Sequence, residues 1–290
     1  MLDQASRLRE LASIDKQKRG GAVRTRRIAV TSGKGGVGKS NFSLNLAVLA
    51  SKLNRKVLLI DADTNLANID ILLGISPEFN LSHVISGYKS VSEILVKGPE
   101  RISILPAASG DLEQVFREGL ASEAIISDLN NLEDDYELIV IDTGAGIARN
   151  VLDFVTYADT VVIITTSEPT AITDAYAMVK VLSMERTDPQ IKILVNMVRD
   201  KHEAMDVFDK LSAVINHFLK LDVEYLGFIP RDVNVENAVH HQKPLVLEYP
   251  KTPASIQMKF ITRRLVQGEY IADRDGSGLF GNIFRKMMFK

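Results

Sequence analysis

The sequence contains no cysteine. That absence excludes disulfides, thiolate-ligated iron–sulfur clusters and cysteine nucleophiles together. No apolar run approaches the ~20 residues that a membrane-spanning helix needs, and the first residues are charged rather than signal-like. Neither sign of charge dominates: 35 Lys and Arg stand against 37 Asp and Glu, for a net charge of −2 and a pI of 6.2. No global basic field would draw such a chain onto nucleic acid, so no nucleic-acid partner is expected. Histidine is scarce, with five in all. Apart from the adjacent His240 and His241, which read as surface residues, they are scattered, and no Cys/His/Asp spacing suggests zinc. Internal repeats and low-complexity tracts are also missing. What remains is the expectation of a cytoplasmic protein.

What is present is regular. A chain of 290 residues that is 46% hydrophobic can bury one large core or two small ones. Short β-branched runs recur as RRIAV, KVLLI, ISILP, ELIVI, TVVIITT, IKILV and VEYLGFI. Segments with helical spacing lie between most of them, at residues 41–53, 112–129, 171–184 and 205–219. Strands that read as continuous apolar runs are covered on both faces, which predicts a doubly wound, mostly parallel α/β sheet flanked by helices. Three parts are expected. Residues 1–26 form a charged, helical head with a basic linker, residues 27–267 the sheet domain, and residues 268–290 a tether with a short amphipathic helix.

The stretch TSGKGGVGKSNFS, residues 31–43, carries the chemistry. Gly33, Gly38, Lys39 and Ser40 satisfy the phosphate-loop pattern G-x-x-x-x-G-K-[ST] at a strand-to-helix turn. Glycines there let successive backbone N–H groups curl around phosphates, and the helix N-terminus adds its positive end. The candidate nucleotide-binding set is Gly33, Lys34, Gly35, Gly36, Val37, Gly38, Lys39, Ser40 and Asn41. Lys39 is expected to bridge the β- and γ-phosphates and Ser40 to ligate Mg2+. An ordinary loop of this kind needs one lysine, which leaves Lys34 without a task.

Acidic residues follow at two strand ends, Asp61-Ala62-Asp63 after KVLLI and Asp142-Thr143-Gly144 after ELIVI. In an open parallel sheet, ligands bind beyond the C-terminal strand ends, so both groups are expected to face the loop. Asp142 reads as the residue that holds the metal's water shell. Asp61 and Asp63 point the same way from an extended segment, so one can touch the metal waters while the other orients the attacking water. We assign Asp61 to the metal and Asp63 to the water. Adenine is the expected base, because the N-K-x-D motif of guanine sites is replaced by Asn196-Met197-Val198-Arg199-Asp200.

GKGGVGKS, DADTNLANID and IDTGAGI together resemble the deviant Walker A ATPases of the MinD/ParA group, over roughly residues 27–267. The resemblance implies an ATP- and Mg2+-dependent P-loop ATPase that forms a nucleotide-sandwich homodimer. In it Lys34 would reach the partner's phosphates, joining Lys39 and Asp63 as the candidates for catalysis. It also sets Asn196, and a second segment ending in Pro230, Arg231 and Asp232, beside the adenine.

Two terminal features narrow the group. Asp3, Gln4 and Ala5, followed by Arg7, Leu8 and Arg9, resemble the DQAxxLR element of FlhG-type flagellar-number regulators. There the element activates the GTPase FlhF; the other reading is a simple N-terminal helix start. At the far end Leu279, Phe280, Ile283, Phe284, Met287 and Met288 recur at helical spacing beside Arg285, Lys286 and Lys290. That pattern suits a helix lying in the plane of an anionic lipid surface and resembles the membrane-targeting helix of MinD-like proteins. A helix docked on the protein's own body would show the same stripe. The resemblance thus implies an ATP-driven switch at the inner face of the cell membrane that stimulates FlhF and contacts flagellar C-ring proteins. A ParA-like DNA-partitioning ATPase, a MinD-type division-site regulator and a P-loop metabolic enzyme are the alternatives.

Overall fold

A computed structural model describes residues 25–63, 68–107, 120–185 and 189–267. The head element at Asp3–Arg9 and the apolar stripe at Leu279–Met288 lie outside the described residues, as do residues 64–67 and 108–119.

Among the described residues, eight strands form one sheet: β1 (Arg26–Ser32), β2 (Val57–Ala62), β3 (Val96–Lys97), β4 (Ser103–Leu105), β5 (Leu138–Ala145), β6 (Thr160–Thr165), β7 (Gln190–Val198) and β8 (Glu224–Pro230). Their order is β3-β4-β2-β5-β1-β6-β7-β8, and every pair is parallel except β3 with β4. The seven apolar runs are the seven longer strands. The two-residue β3 has no periodicity to read and was not anticipated.

The helices are α1 (Lys39–Lys52), α2 (Ile69–Leu73), α3 (Leu81–Ile85), α4 (Val91–Ile94), α5 (Leu120–Leu132), α6 (Arg149–Tyr157), α7 (Pro169–Leu182), α8 (Lys201–Leu219), α9 (Val233–His240), α10 (Leu245–Glu248) and α11 (Pro253–Gln267). Local chemistry sets several starts earlier than apolar spacing suggests. Pro169 opens α7, where a missing N–H costs nothing. Asp200 caps α8 by accepting from the Glu203 N–H at 2.9 Å. The helix expected over residues 112–129 is described from Leu120 onward.

The sheet separates two cores. Ala29, Leu58, Ile60, Ile139, Ile141 and Val161 point to the face covered by α5–α8, where Phe154 and Met178 are fully buried. Their strand neighbours Ile28, Val30, Leu59, Val140 and Val162 point to the face covered by α1 and α11. Alternation within each strand thus feeds both layers, as a doubly wound sheet requires. Beside β1 lie β5 and β6, and the direction of chain winding reverses there. The crevice of such a sheet opens beyond its C-terminal strand ends, where the glycine loop lies.

Candidate active site

The glycine loop joins β1 to α1. Gly36 and Gly38 take left-handed φ values of 77° and 91°, a region that side chains avoid. Gly33 is required for a different reason: a Cβ there would lie 2.2 Å from the Asp174 carbonyl oxygen on α7. Among the described residues no side chain caps the N-terminus of α1, and its first turn holds no acid. Uncapped N–H groups and the helix dipole leave that end suited to an anion. One backbone and one side-chain contact hold the loop's base, with the Gly146 N–H donating to Ser32 O at 2.9 Å and the Ser32 hydroxyl donating to Lys34 O at 2.6 Å.

Lys39 is buried, and burial lowers its pKa while the charges of Asp142 and Asp63 oppose that shift. Asp142 is fully buried in β5, level with Asp61 on β2 and Val30 on β1. Ser43 Oγ donates to Asp142 Oδ1 at 2.8 Å. Oδ2 is buried and has no hydrogen-bond partner among the described residues. Burial raises the Asp142 pKa, against the Ser40 and Ser43 hydroxyls and the Lys39 charge, which favour the ionised form.

The two aspartates of the Asp61-Ala62-Asp63 pair differ sharply. Asp61 is buried and accepts three backbone N–H bonds, from Asp63 at 3.2 Å and from Asn68 and Ile69 at 3.0 Å each. One carboxylate therefore holds the Asp63 amide, and its bonds to Asn68 and Ile69 secure the start of α2. Burial and the neighbouring Asp142 charge push its pKa up, against those three bonds. Asp63 is half-exposed, accepts from Asn68 Nδ2 at 3.3 Å, and lies close enough to Lys39 and Asp142 to act on both charges.

Lys34 does not point into open solvent. Its Nζ pairs with Glu168 and donates to Thr170 Oγ1 at 3.1 Å, both at the start of α7. The base-flanking segments meet side by side, with Asn196 opposite Ile229 and Val198 opposite Pro230. Asn196, however, is engaged within the protein: Nδ2 donates to Val37 O at 2.7 Å and Oδ1 accepts from the Met197 N–H. Asp232 is likewise turned to capping, accepting from the N–H groups of Asn234 and Ala254. Of the residues singled out from the sequence, Lys34, Lys39, Ser40, Asp61, Asp63, Asp142 and Asn196 thus gather around one loop. Ser43, Glu168 and Thr170 were missed. Ser43 was legible in principle, because it lies three and four residues beyond Ser40 and Lys39, on one helix face.

Among the described residues no group of three or more His, Asp or Glu side chains could hold a metal by itself. Mg2+ bound with a nucleotide needs only one or two protein oxygens besides phosphate and water. The Ser40 hydroxyl and the unpartnered Asp142 oxygen fit that demand.

A family profile described as "ParA: NUBPL iron-transfer P-loop NTPase" matches residues 24–266. With no cysteine in the chain, the iron-transfer part of that description has no thiolates to act through. The antiactivator FleN of Pseudomonas aeruginosa is 39% identical over 238 residues, covering 82% of this chain and 85% of FleN. The flagellum site-determining protein YlxH of Helicobacter pylori is 36% identical over 250 residues, 84% of each chain. Among solved structures, a chain of the MinC:MinD cell division protein complex of Aquifex aeolicus superposes with a TM-score of 0.69. It is 29% identical and covers 85% of this chain and 97% of that one.

Proposed function

The chain belongs to the ParA/MinD family of P-loop ATPases, alongside the flagellar regulators FleN and YlxH, and on that premise we propose how its switch is built. It is an ATPase switch of the flagellar-number kind. The glycine-loop amides and the open end of α1 take the phosphates, and Lys39 bridges them. Ser40 and Asp142 would hold Mg2+, which would supply charge neutralisation to the nucleotide phosphates. Asp61 supports that metal from beside Asp142. Asp63, half-exposed where Asp61 is not, orients the attacking water. Asn196 and the segment Pro230-Arg231-Asp232 border the adenine.

The observation that carries this reading is the charge cluster at the uncapped end of α1. A buried lysine sits within reach of two aspartates, one of which keeps a buried oxygen without a partner. Such a cluster is costly in an empty protein and is relieved by a polyanion with its divalent cation.

The switch itself is a homodimer formed in ATP, with Lys34 leaving Glu168 to contact the partner's phosphates. The two tails, Leu279–Met288 on each chain, then engage anionic lipid at the inner membrane face, and the head at Asp3–Arg9 stimulates FlhF. The test is ATP turnover by the full chain together with FlhF GTPase activity, with and without residues 1–20. ATP turnover that persists after removal of the head, with loss of FlhF stimulation, is the expected result. Unchanged FlhF stimulation by the truncated chain rejects the head's role, and absent ATP turnover in the full chain rejects the site.

A further inference from the structure

Two hydroxyls favour the ionised form of Asp142, those of Ser40 and Ser43; Ser43, outside the phosphate-loop pattern, makes the well-formed hydrogen bond, to Oδ1, and leaves Oδ2 open. Ser43 is fully buried on α1. Its hydroxyl has one proton and two acceptors within reach, Asp142 Oδ1 at 2.8 Å and the Lys39 carbonyl at 3.1 Å. An ionised carboxylate is the stronger acceptor and is also the nearer one, so the proton goes to Asp142. The Lys39 carbonyl is the back-bond to which a helical serine otherwise turns.

A carboxylate without such a bond rotates readily about its last torsion, and its two oxygens interchange. With Ser43 in place they are distinct. We propose that Ser43 is a positioning residue for the metal: by pinning Oδ1 of Asp142 it reserves Oδ2 for the Mg2+ of the bound nucleotide. The inference rests on the reading of Asp142 as the metal-side carboxylate. Ser43 itself touches neither nucleotide nor metal in this scheme, and its action passes entirely through Asp142.

The experiment measures the affinity of the full chain for a fluorescent ADP, with Mg2+ and in EDTA, and takes the ratio. Ser43→Ala should lower that ratio about tenfold, the size of one charge-assisted hydrogen bond, while affinity in EDTA stays near wild type. Ser43→Thr keeps the hydroxyl and should restore the ratio, and Asp142→Asn should abolish the Mg2+ dependence. A wild-type ratio in Ser43→Ala, with the dependence lost in Asp142→Asn, overturns the inference and leaves the metal reading standing. Retention of the dependence by Asp142→Asn removes the metal reading and the inference with it. A Ser43→Ala protein that loses affinity equally in EDTA, without rescue by threonine, assigns Ser43 to general packing and also overturns the proposal.

Discussion

Lys34 and Glu168, 134 residues apart, form an ion pair within one chain, with Thr170 as a second acceptor for the same ammonium group. Both partners are substantially exposed, so the pair is weak and salt-screened, and the lysine is easily released. In the proposed dimer it exchanges Glu168 for a phosphate on the other subunit. Lys34→Ala should therefore reduce ATP-dependent dimerisation while monomer affinity for ADP stays within about twofold. Lys39→Ala should weaken ADP binding directly. Analytical ultracentrifugation and ADP titration separate the two, and an equal loss of ADP affinity in both variants would assign Lys34 to its own site.

Asp63 is the more accessible acid of its pair. Replacing it by alanine should leave ATP binding intact and slow hydrolysis by about two decades or more, the usual cost of losing a group that orients the nucleophile. Dimers should then accumulate in ATP. Wild-type turnover in a steady-state phosphate assay would transfer the role to Asp61.

Two loop glycines make a steric contrast. A Cβ on Gly33 would meet the Asp174 backbone at 2.2 Å, whereas one on Gly35 meets nothing within 4 Å among the described residues. Overpacking against backbone costs about 1–3 kcal/mol, so Gly33→Ala should lower the melting temperature of the nucleotide-free protein by several degrees. Gly35→Ala should leave it unchanged. Identical melting curves for the two would show that the loop yields at Gly33 without strain.

The buried carboxyls predict a pH dependence. Burial raises Asp142 to about 6, and burial with the Asp142 charge raises Asp61 to about 8. Both hold their protons more tightly folded than unfolded, where about 4 is usual. As pH rises the unfolded chain ionises first, so this pair's contribution to stability is greatest below pH ~4 and declines up to pH ~8. Mg2+ with ADP favours the ionised form and should offset that decline, giving a larger thermal shift at about pH 8 than at about pH 5.5. Asp142→Asn should flatten the metal-free profile. A metal-free melting temperature with the same pH slope in the variant would contradict the assignment.

The tail carries the last prediction. One short amphipathic helix binds lipid weakly, and two on one dimer make the second insertion intramolecular, raising avidity by about 10²–10⁴-fold. The protein should co-sediment with anionic liposomes in ATP and much less in ADP. Phe284→Glu should abolish sedimentation yet spare dimers in solution. Equal sedimentation in ADP would reject the avidity switch.

The sequence by itself determined the alternating strands and helices, the glycine loop between β1 and α1, its two lysines and the acids at the ends of β2 and β5. These features are local. Apolar periodicity reports which faces are buried, and the spacing of glycine, lysine and serine reports a phosphate-binding turn whose glycines the backbone requires and whose lysine and serine serve its chemistry. Only the tertiary structure decided how the acids differ. Asp61 and Asp63 are two residues apart and alike on paper, yet one is buried under three backbone N–H groups and the other is half-exposed. Likewise, only the fold turned Asn196 onto the Val37 carbonyl, Lys34 onto Glu168 and Ser43 onto Asp142. The physical reason is the strand order. With β5 inserted between β2 and β1 and with β6 on the far side, residues 99 to 159 positions apart become neighbours, and no local periodicity carries that information.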